Sequence, residues 1–244
     1  MSKSSVFQFQ RFTISQEHSA MKVGTDGVLL GALAQFEHPR RLLDIGCGTG
    51  LLALMLKQRY PDIVVHALEI DEAAAIDAAT NFENSPWEIA LTIGDFKEFA
   101  PQHPASFDAI VCNPPYFVDS LKPPTAQWTQ ARHTDSLPFG DLAQGIATTL
   151  TENGYCWVIL PPVETTRFVG EANRFGLYAV KRIEIASAEG LQPKRIITCL
   201  SKTPNACVTT MLSMQSADRL TYTSEYRKSV EPFYLEKYFR QKQG

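Results

Sequence analysis

Asn113-Pro114-Pro115-Tyr116 is the stretch whose residue types and spacing point most directly to chemistry. It follows an apolar run, Phe107 to Cys112, that reads as a buried strand. A proline after Asn113 keeps that residue out of the helical region, and Pro115 does the same for Pro114. The backbone is held extended and has no N–H donor at 114 or 115. What it offers is the Asn113 amide oxygen, the Pro114 carbonyl and the Tyr116 ring. Two acceptors beside a flat aromatic suit a planar NH₂ group. Each acceptor takes one N–H, which favours a localised nitrogen lone pair, and Tyr116 stacks on the plane. Phe117 extends the same wall, and Pro115 keeps it rigid. The plain structural reading of the motif is a stiff strand exit.

A second motif, Asp44-Ile45-Gly46-Cys47-Gly48-Thr49-Gly50, lies between a strand-like run (41–46) and a helix-like one (50–59). Its glycines let a ligand approach the backbone, beside the orphan N–H groups of a helix start. The spacing is Gly-x-Gly-x-Gly, not the dinucleotide Gly-x-Gly-x-x-Gly. Asp44 would repel a phosphate but suits a cationic amino-acid end. A later strand closes on Glu69-Ile70-Asp71, where a carboxylate is placed to accept from ribose hydroxyls. After a third strand, Asp95 is placed for a purine amine and Phe96 for its face. A glycine turn alone can be only a tight turn; three such elements in order, each at a strand end, are a pattern.

The elements needed to hold these residues are legible as alternating runs. Strands are expected at 41–46, 63–70, 87–93, 107–112 and 154–160, with helices at 50–59, 72–82, about 139–152 and 164–175. Further extended runs fall at 177–187, 195–201 and 206–214. Alternation implies βαβ units, a parallel sheet, and a site at the carboxyl ends of its strands. The runs 177–187 and 195–201 are joined by seven residues, too few for a parallel crossover, so they should be antiparallel. Residues 119–138 form a long Pro- and Thr-rich loop after the Asn113 motif.

Over residues 40–200 the chain resembles the class I S-adenosylmethionine-dependent methyltransferases. The resemblance implies an α/β, doubly wound Rossmann-like sheet of seven strands with the last antiparallel. It implies S-adenosyl-L-methionine held by Gly46, Gly48, Gly50, Glu69 and Asp95, with Asp44, Asp71 and Phe96 beside them, and a methyl acceptor at Asn113, Pro114 and Tyr116. The Asn-Pro-Pro-Tyr element is shared by enzymes acting on adenine N6, cytosine N4 and glutamine amides, and does not choose among them.

Two more stretches narrow the choice: Ala20-Met21-Lys22-Val23-Gly24-Thr25-Asp26-Gly27-Val28-Leu29-Leu30-Gly31-Ala32 ahead of the sheet, and Ala131-Arg132-His133-Thr134-Asp135 in the long loop. With Phe9-Gln10-Arg11-Phe12 and a tail running from Tyr226-Arg227 to Phe233-Tyr234, they make the chain similar, nearly end to end, to the bacterial tRNA1(Val) (adenine-37-N6)-methyltransferase family. That similarity implies methyl transfer to an adenine beside the anticodon of a valine tRNA. Lys22, Thr25 and Asp26 would lie over the cofactor's methionine end, Asp26 on its amino group; a capped helix start is the other reading of Thr25 and Asp26. Arg132, Arg227 and Lys228 are candidate RNA contacts. Lys181-Arg182 and Lys194-Arg195 read better as solvated charge.

Composition sets the outer bounds. The 244 residues carry 44% hydrophobic and 20% charged side chains and a net charge of −3. Residues 219–244 alone hold six basic, three acidic and six aromatic side chains, leaving −6 on residues 1–218. That tail reads as an amphipathic helix packed on the body, with RNA contact as a second role. No apolar run is long enough for a membrane span, and the first residues lack a secretory core. Five scattered histidines and five cysteines without a Cys-x-x-Cys pair suggest neither a metal site nor a disulfide framework, and a cytoplasmic location. The expected organisation is an N-terminal extension (1–40), a methyltransferase domain (41–215) and a basic aromatic helix (216–244). No oligomer is predicted. The competing readings are a protein glutamine N5-methyltransferase, which should bring a peptide-binding domain ahead of the sheet, a methyltransferase for another RNA amine such as one in rRNA, and a binder that kept the fold without catalysis.

Overall fold

The computed structural model describes residues 6–115 and 137–239. Tyr116, Phe117, Arg132 and His133 lie outside the described residues. A hairpin of β1 (Val6–Gln8) and β2 (Thr13–Ser15) precedes helix α1 (Thr25–Leu33). Then follow β3 (Arg41–Ile45), α2 (Leu51–Arg59), β4 (Val64–Glu69), α3 (Glu72–Glu83), β5 (Ala90–Ile93), the short α4 (Phe96–Phe99) and β6 (Phe107–Cys112). The second half runs α5 (Phe139–Thr149), β7 (Leu150–Leu160), α6 (Pro162–Arg174), β8 (Tyr178–Ala188), β9 (Arg195–Ser201), β10 (Val208–Gln215) and α7 (Ser224–Val230).

The sheet has the order β10-β8-β9-β7-β6-β3-β4-β5, and every strand but β9 runs the same way. The central strands β3, β4 and β6 are buried on both faces, so they read as near-continuous apolar runs. One face packs on α1, α2 and α3 through Leu30, Leu54, Met55, Ala78 and Phe82; the other packs on α4, α5 and α6 through Phe99, Leu142, Ile146 and Phe168. The expected antiparallel pairing of the two late runs is present, from Tyr178↔Ser201 to Ile185↔Arg195.

Two expectations need correction. The sheet has eight strands, not seven: β10 adds in parallel to β8, so the antiparallel β9 lies inside the sheet. The tail is not one long helix. α7 covers only Ser224–Val230, capped by the Thr223 hydroxyl accepting from Tyr226 N, and Pro232 ends it because proline has no N–H to continue the ladder. Among the described residues, no helix is long and apolar enough to cross a membrane.

Candidate active site

The chain goes from β3 outward to β4 and β5, then returns to place β6 on the other side of β3. Such a reversal opens a crevice at the carboxyl ends of the two central strands. Register pairs Ile45 with Cys112, so Gly46 and Asn113 leave adjacent strands side by side. The glycine loop and the Asn113 motif, 67 residues apart in sequence, therefore share one crevice.

The loop's shape depends on its glycines. Gly46 (φ 66°), Gly48 (φ 55°) and Gly50 (φ 80°) all take left-handed backbone, and nothing stands within 4 Å of where a Cβ on Gly46 or Gly48 would be. At Gly50 a Cβ would meet the Phe82 ring at 2.3 Å, so that glycine serves packing against α3. Glu69 braces the loop: its carboxylate accepts from Gly48 N (2.7 Å), Ile70 N and Asp71 N (both 2.9 Å). Cys47 N donates to Leu68 O, closing the loop onto β4.

Asp44 is fully buried, and its Oδ2 accepts from Ala53 N at 3.0 Å. Its Oδ1 has no hydrogen-bond partner among the described residues. Burial pushes this carboxyl up to about 7; the Ala53 N–H works against that rise, and the Glu69 charge adds to it. An orphaned carboxylate oxygen beneath open glycine backbone fits a cationic group, so S-adenosylmethionine suits the residues present.

Other expected cofactor residues are placed less simply. Asp71 caps α3 by accepting from Ala73 N, and Asp95 caps α4 by accepting from Lys97 N. The Phe96 ring does not face the crevice: it is 5% exposed and fills the space left by the missing side chain of Gly145 on α5. Its expected place against an adenine face is corrected accordingly. Neither Thr25 nor Asp26 caps α1; Gly24 is the cap residue, without a side-chain bond. Asp26 instead pairs with Arg195 at the start of β9, Nε to Oδ2 at 2.7 Å. Lys22 Nζ donates to Gln16 O, and Gln16 Oε1 accepts from Val23 N, so 16–23 fold back on themselves.

Arg227 and Lys228 are not brought to Asn113. Arg227 pairs with Glu236 (2.9 Å) and lies over the Phe239 ring. Lys228 lines a separate concavity of about 820 Å³, with Arg59, Tyr155, Trp157 and Lys181, at the amino ends of the parallel strands.

Two residues of α3 escaped the sequence reading. Asp77 accepts from Ser19 N (2.7 Å), Ser19 Oγ (2.6 Å) and His18 N, and meets His18 Nδ1 at 2.9 Å. Burial pushes its carboxyl up, but the hydrogen bonds from Ser19 and His18 outweigh that and hold it below the usual carboxylate range. Asn81 accepts from Ser15 N and donates to Ser15 O and to Thr49 O of the glycine loop. Together they strap residues 15–19 beside the cofactor crevice. The signal was present: Asp77 and Asn81 share a face with Ala74 and Ala78, so two polar residues stand where an alanine-rich helix is buried.

Comparison with known proteins agrees with this geometry. The methyltransferase small domain model matches residues 18–133. Among solved structures, a predicted O-methyltransferase from Agrobacterium tumefaciens superposes with a TM-score of 0.65 at 16% identity, over 85% of this chain and 96% of that one. NSun6 from Pyrococcus horikoshii superposes with a TM-score of 0.56 at 15% identity, over 75% and 53%. These establish the class I methyltransferase fold. The tRNA1(Val) (adenine(37)-N6)-methyltransferase of Bacteroides thetaiotaomicron is 42% identical over 94% of this chain and 97% of its own. Those of Flavobacterium psychrophilum (41%, over 94% and 99%) and Salmonella typhi (38%, over 94% of each) are similar to the same extent of chain. Identity at this level, sustained nearly end to end, means that the chain belongs to the tRNA1(Val) (adenine(37)-N6)-methyltransferase family.

Proposed function

We propose that this protein transfers a methyl group from S-adenosylmethionine to the exocyclic N6 of an adenine in tRNA, adenine 37 of tRNA1(Val), in the cytoplasm. The observation that carries the reading is the pairing of Ile45 with Cys112, which sets the open glycine loop beside the Asn113 exit. The cofactor supplies an electrophilic methyl group on a sulfonium. Gly46, Gly48 and Gly50 give it access to the backbone, the Glu69 carboxylate faces its ribose, and the Asp44 carboxylate faces its cationic end. Asn113 Oδ1 and the Pro114 carbonyl hold the two N–H bonds of the amine and keep its lone pair out of the ring. Tyr116, Pro115 and Phe117 are proposed from sequence to wall the base. No strong base is required, because the nitrogen proton becomes acidic once the nitrogen is alkylated and passes to water. Rate comes from positioning and fixed dipoles. A loop adenine is unstacked at low cost, which suits a pocket that must enclose the base.

The test is methyl transfer from labelled S-adenosylmethionine to total tRNA from cells lacking this protein, followed by nucleoside analysis. N6-methyladenosine in one valine tRNA is the expected result. No label in tRNA, with label instead in protein or in rRNA of the same cells offered in parallel, would move the acceptor to a glutamine amide or to another RNA amine. Asn113→Ala should lower kcat by about 10²–10³, the usual loss for one positioned polar group, with cofactor affinity within about twofold. Undiminished turnover would remove Asn113 from the mechanism.

A further inference from the structure

The hollow at the amino ends of the strands exists because two helices stop short of it. α1 ends at Leu33 and α7 at Val230, and the sheet face they cover is left bare over the first rows of β7 and β8. Register shows what is bared. Trp157, Cys199, Lys181 and Val208 stand in one row across four strands. One step beyond the Cys156↔Leu200 pair sets Tyr155 against Ser201, whose other neighbour is Tyr178. The two tyrosines therefore share a face, two strands or about 10 Å apart. They are 38% and 37% exposed, and Val208 is 58% exposed. Single exposed apolar residues need no explanation, but a gathered aromatic patch marks a binding face.

The hollow holds about 820 Å³, inside the roughly 300–1,000 Å³ of small-molecule sites. Trp157 forms its floor, and the indole N–H donates to Gln35 O at 3.0 Å, which fixes the ring. Lys181, which reads from sequence as solvated charge, stands over that ring with Nζ 5.8 Å from its centre. Arg59 also lines the hollow, but its guanidinium donates to Ala34 O and Ala32 O (both 2.7 Å) and lies over Phe233. That leaves Lys181 and Lys228 against Glu37 and Glu225. Glu225 and Lys228 are one turn apart on α7, yet neither forms an ion pair among the described residues. Charge so balanced does not suit a bare polyanion. It suits a ligand with a flat ring, an amine to donate to a carboxylate, and an anionic group to accept from an ammonium. A nucleotide with an amino-bearing base carries all three.

We propose that this hollow is a second binding site, for a nucleotide whose base carries an amino group. The base stacks on Tyr155 and donates its amine to the carboxylate side, Glu37 and Glu225. The phosphate accepts from Lys181 and Lys228. The chemistry is the same for a free nucleotide and for an unpaired nucleotide of an RNA. The site opens at the end of the sheet away from Asn113, so its ligand takes no part in methyl transfer. The inference does not depend on which amine the crevice methylates.

The test is calorimetric titration of the full-length protein with GMP, in saturating S-adenosylmethionine so that the cofactor site is closed to purines. Guanine offers the Asn113 motif neither an adenine N6 nor a cytosine N4. GMP should bind one-to-one with Kd below about 1 mM. Tyr155→Ala should weaken it about tenfold, the loss of one stacked base, and Tyr155→Phe should keep it. Lys181→Gln should also weaken GMP about tenfold, but should leave guanosine, which has no phosphate, within about twofold of its wild-type affinity. No binding at about 1 mM GMP overturns the proposal. So do equal GMP affinities in wild type, Tyr155→Ala and Lys181→Gln, which would place the nucleotide elsewhere. Inorganic phosphate bound as tightly as GMP, or free tyrosine bound more tightly, overturns the assignment to a nucleotide. Unmodified tRNA settles the source. If it displaces GMP, and Tyr155→Ala raises KM for tRNA about tenfold at unchanged kcat, the nucleotide belongs to RNA. GMP retained beside saturating tRNA makes it a free nucleotide.

Discussion

At the scale of single residues, Asp44 has the most exacting position. It is an acid with no exposed surface, with one oxygen satisfied and one without a partner among the described residues, and its carboxyl is pushed up to about 7 by burial and by Glu69. The folded protein therefore keeps a proton on Asp44 through the range where an unfolded chain has lost it. Its contribution to stability is present below the ordinary carboxylate range, declines as pH rises through that range, and is gone above about 7. Holding an ionised Asp44 is a cost that a cationic ligand beside Oδ1 would offset. Cofactor affinity should thus rise with pH up to about 7, by at most about tenfold per unit, and level off above. Calorimetric titration of S-adenosylmethionine below pH 7, in buffers of different ionisation enthalpy, should show proton release on binding. Asp44→Asn should abolish that release and weaken binding at pH 8 by about tenfold or more. A wild-type affinity flat from pH 5.5 to 8.5 would separate Asp44 from the cofactor.

At the scale of elements, the strap over the crevice depends on two side chains of α3. Asn81→Ala would leave Ser15 N, Ser15 O and Thr49 O without their partner. Stranding these groups should cost about 2–4 kcal/mol and lower Tm by about 5–10 °C, with weaker cofactor binding because Thr49 is in the glycine loop. Thr80→Ala, one residue away with its hydroxyl bonded only within the helix, is the control and should shift Tm by about a degree. Equal shifts in the two variants would deny the strap a special role. The contrast shows what was readable in the chain. Apolar runs such as Arg41–Ile45 and Phe107–Cys112 announce buried strands, and a seven-residue connection announces an antiparallel pair, because both depend on local pattern and chain reach. The glycine loop and Asn113 are legible for the same reason: their chemistry is carried by consecutive residues. Asp26–Arg195 and Asn81–Thr49 join residues 169 and 32 apart, and nothing local specifies them. Phe96 was misplaced because the space that turns its ring inward belongs to Gly145, on another helix. β10 was visible as an extended run, but its partner, β8, is set by tertiary packing.

At the scale of the whole molecule, the two ends of the chain hold each other. Gln10 N donates to Phe233 O at 2.8 Å, and Gln10 Nε2 donates to Glu231 O and Tyr234 O at 2.7 and 2.9 Å. Phe7 stacks on Tyr238 at 5.0 Å, and the Tyr238 hydroxyl donates to Gln8 O. The tail also reaches α2, where Gln58 donates to Pro232 O and the Arg59 guanidinium lies over Phe233. The tail's aromatics are thus mostly structural: Phe233 is 1% and Tyr226 4% exposed. A tail buried this way should melt together with the sheet rather than ahead of it, making the hairpin at Val6–Ser15, the sheet and the tail through Phe239 one cooperative unit. Phe233→Ala tests this, because it removes a core ring 100 residues or more from the crevice in sequence. It should cost about 3–5 kcal/mol and lower the urea midpoint while the transition stays single, with fluorescence and far-ultraviolet dichroism coincident. An early partial transition, with the sheet's midpoint unmoved, would mean that the tail is an independent appendage and that the clasp at Gln10 does not couple it to the fold.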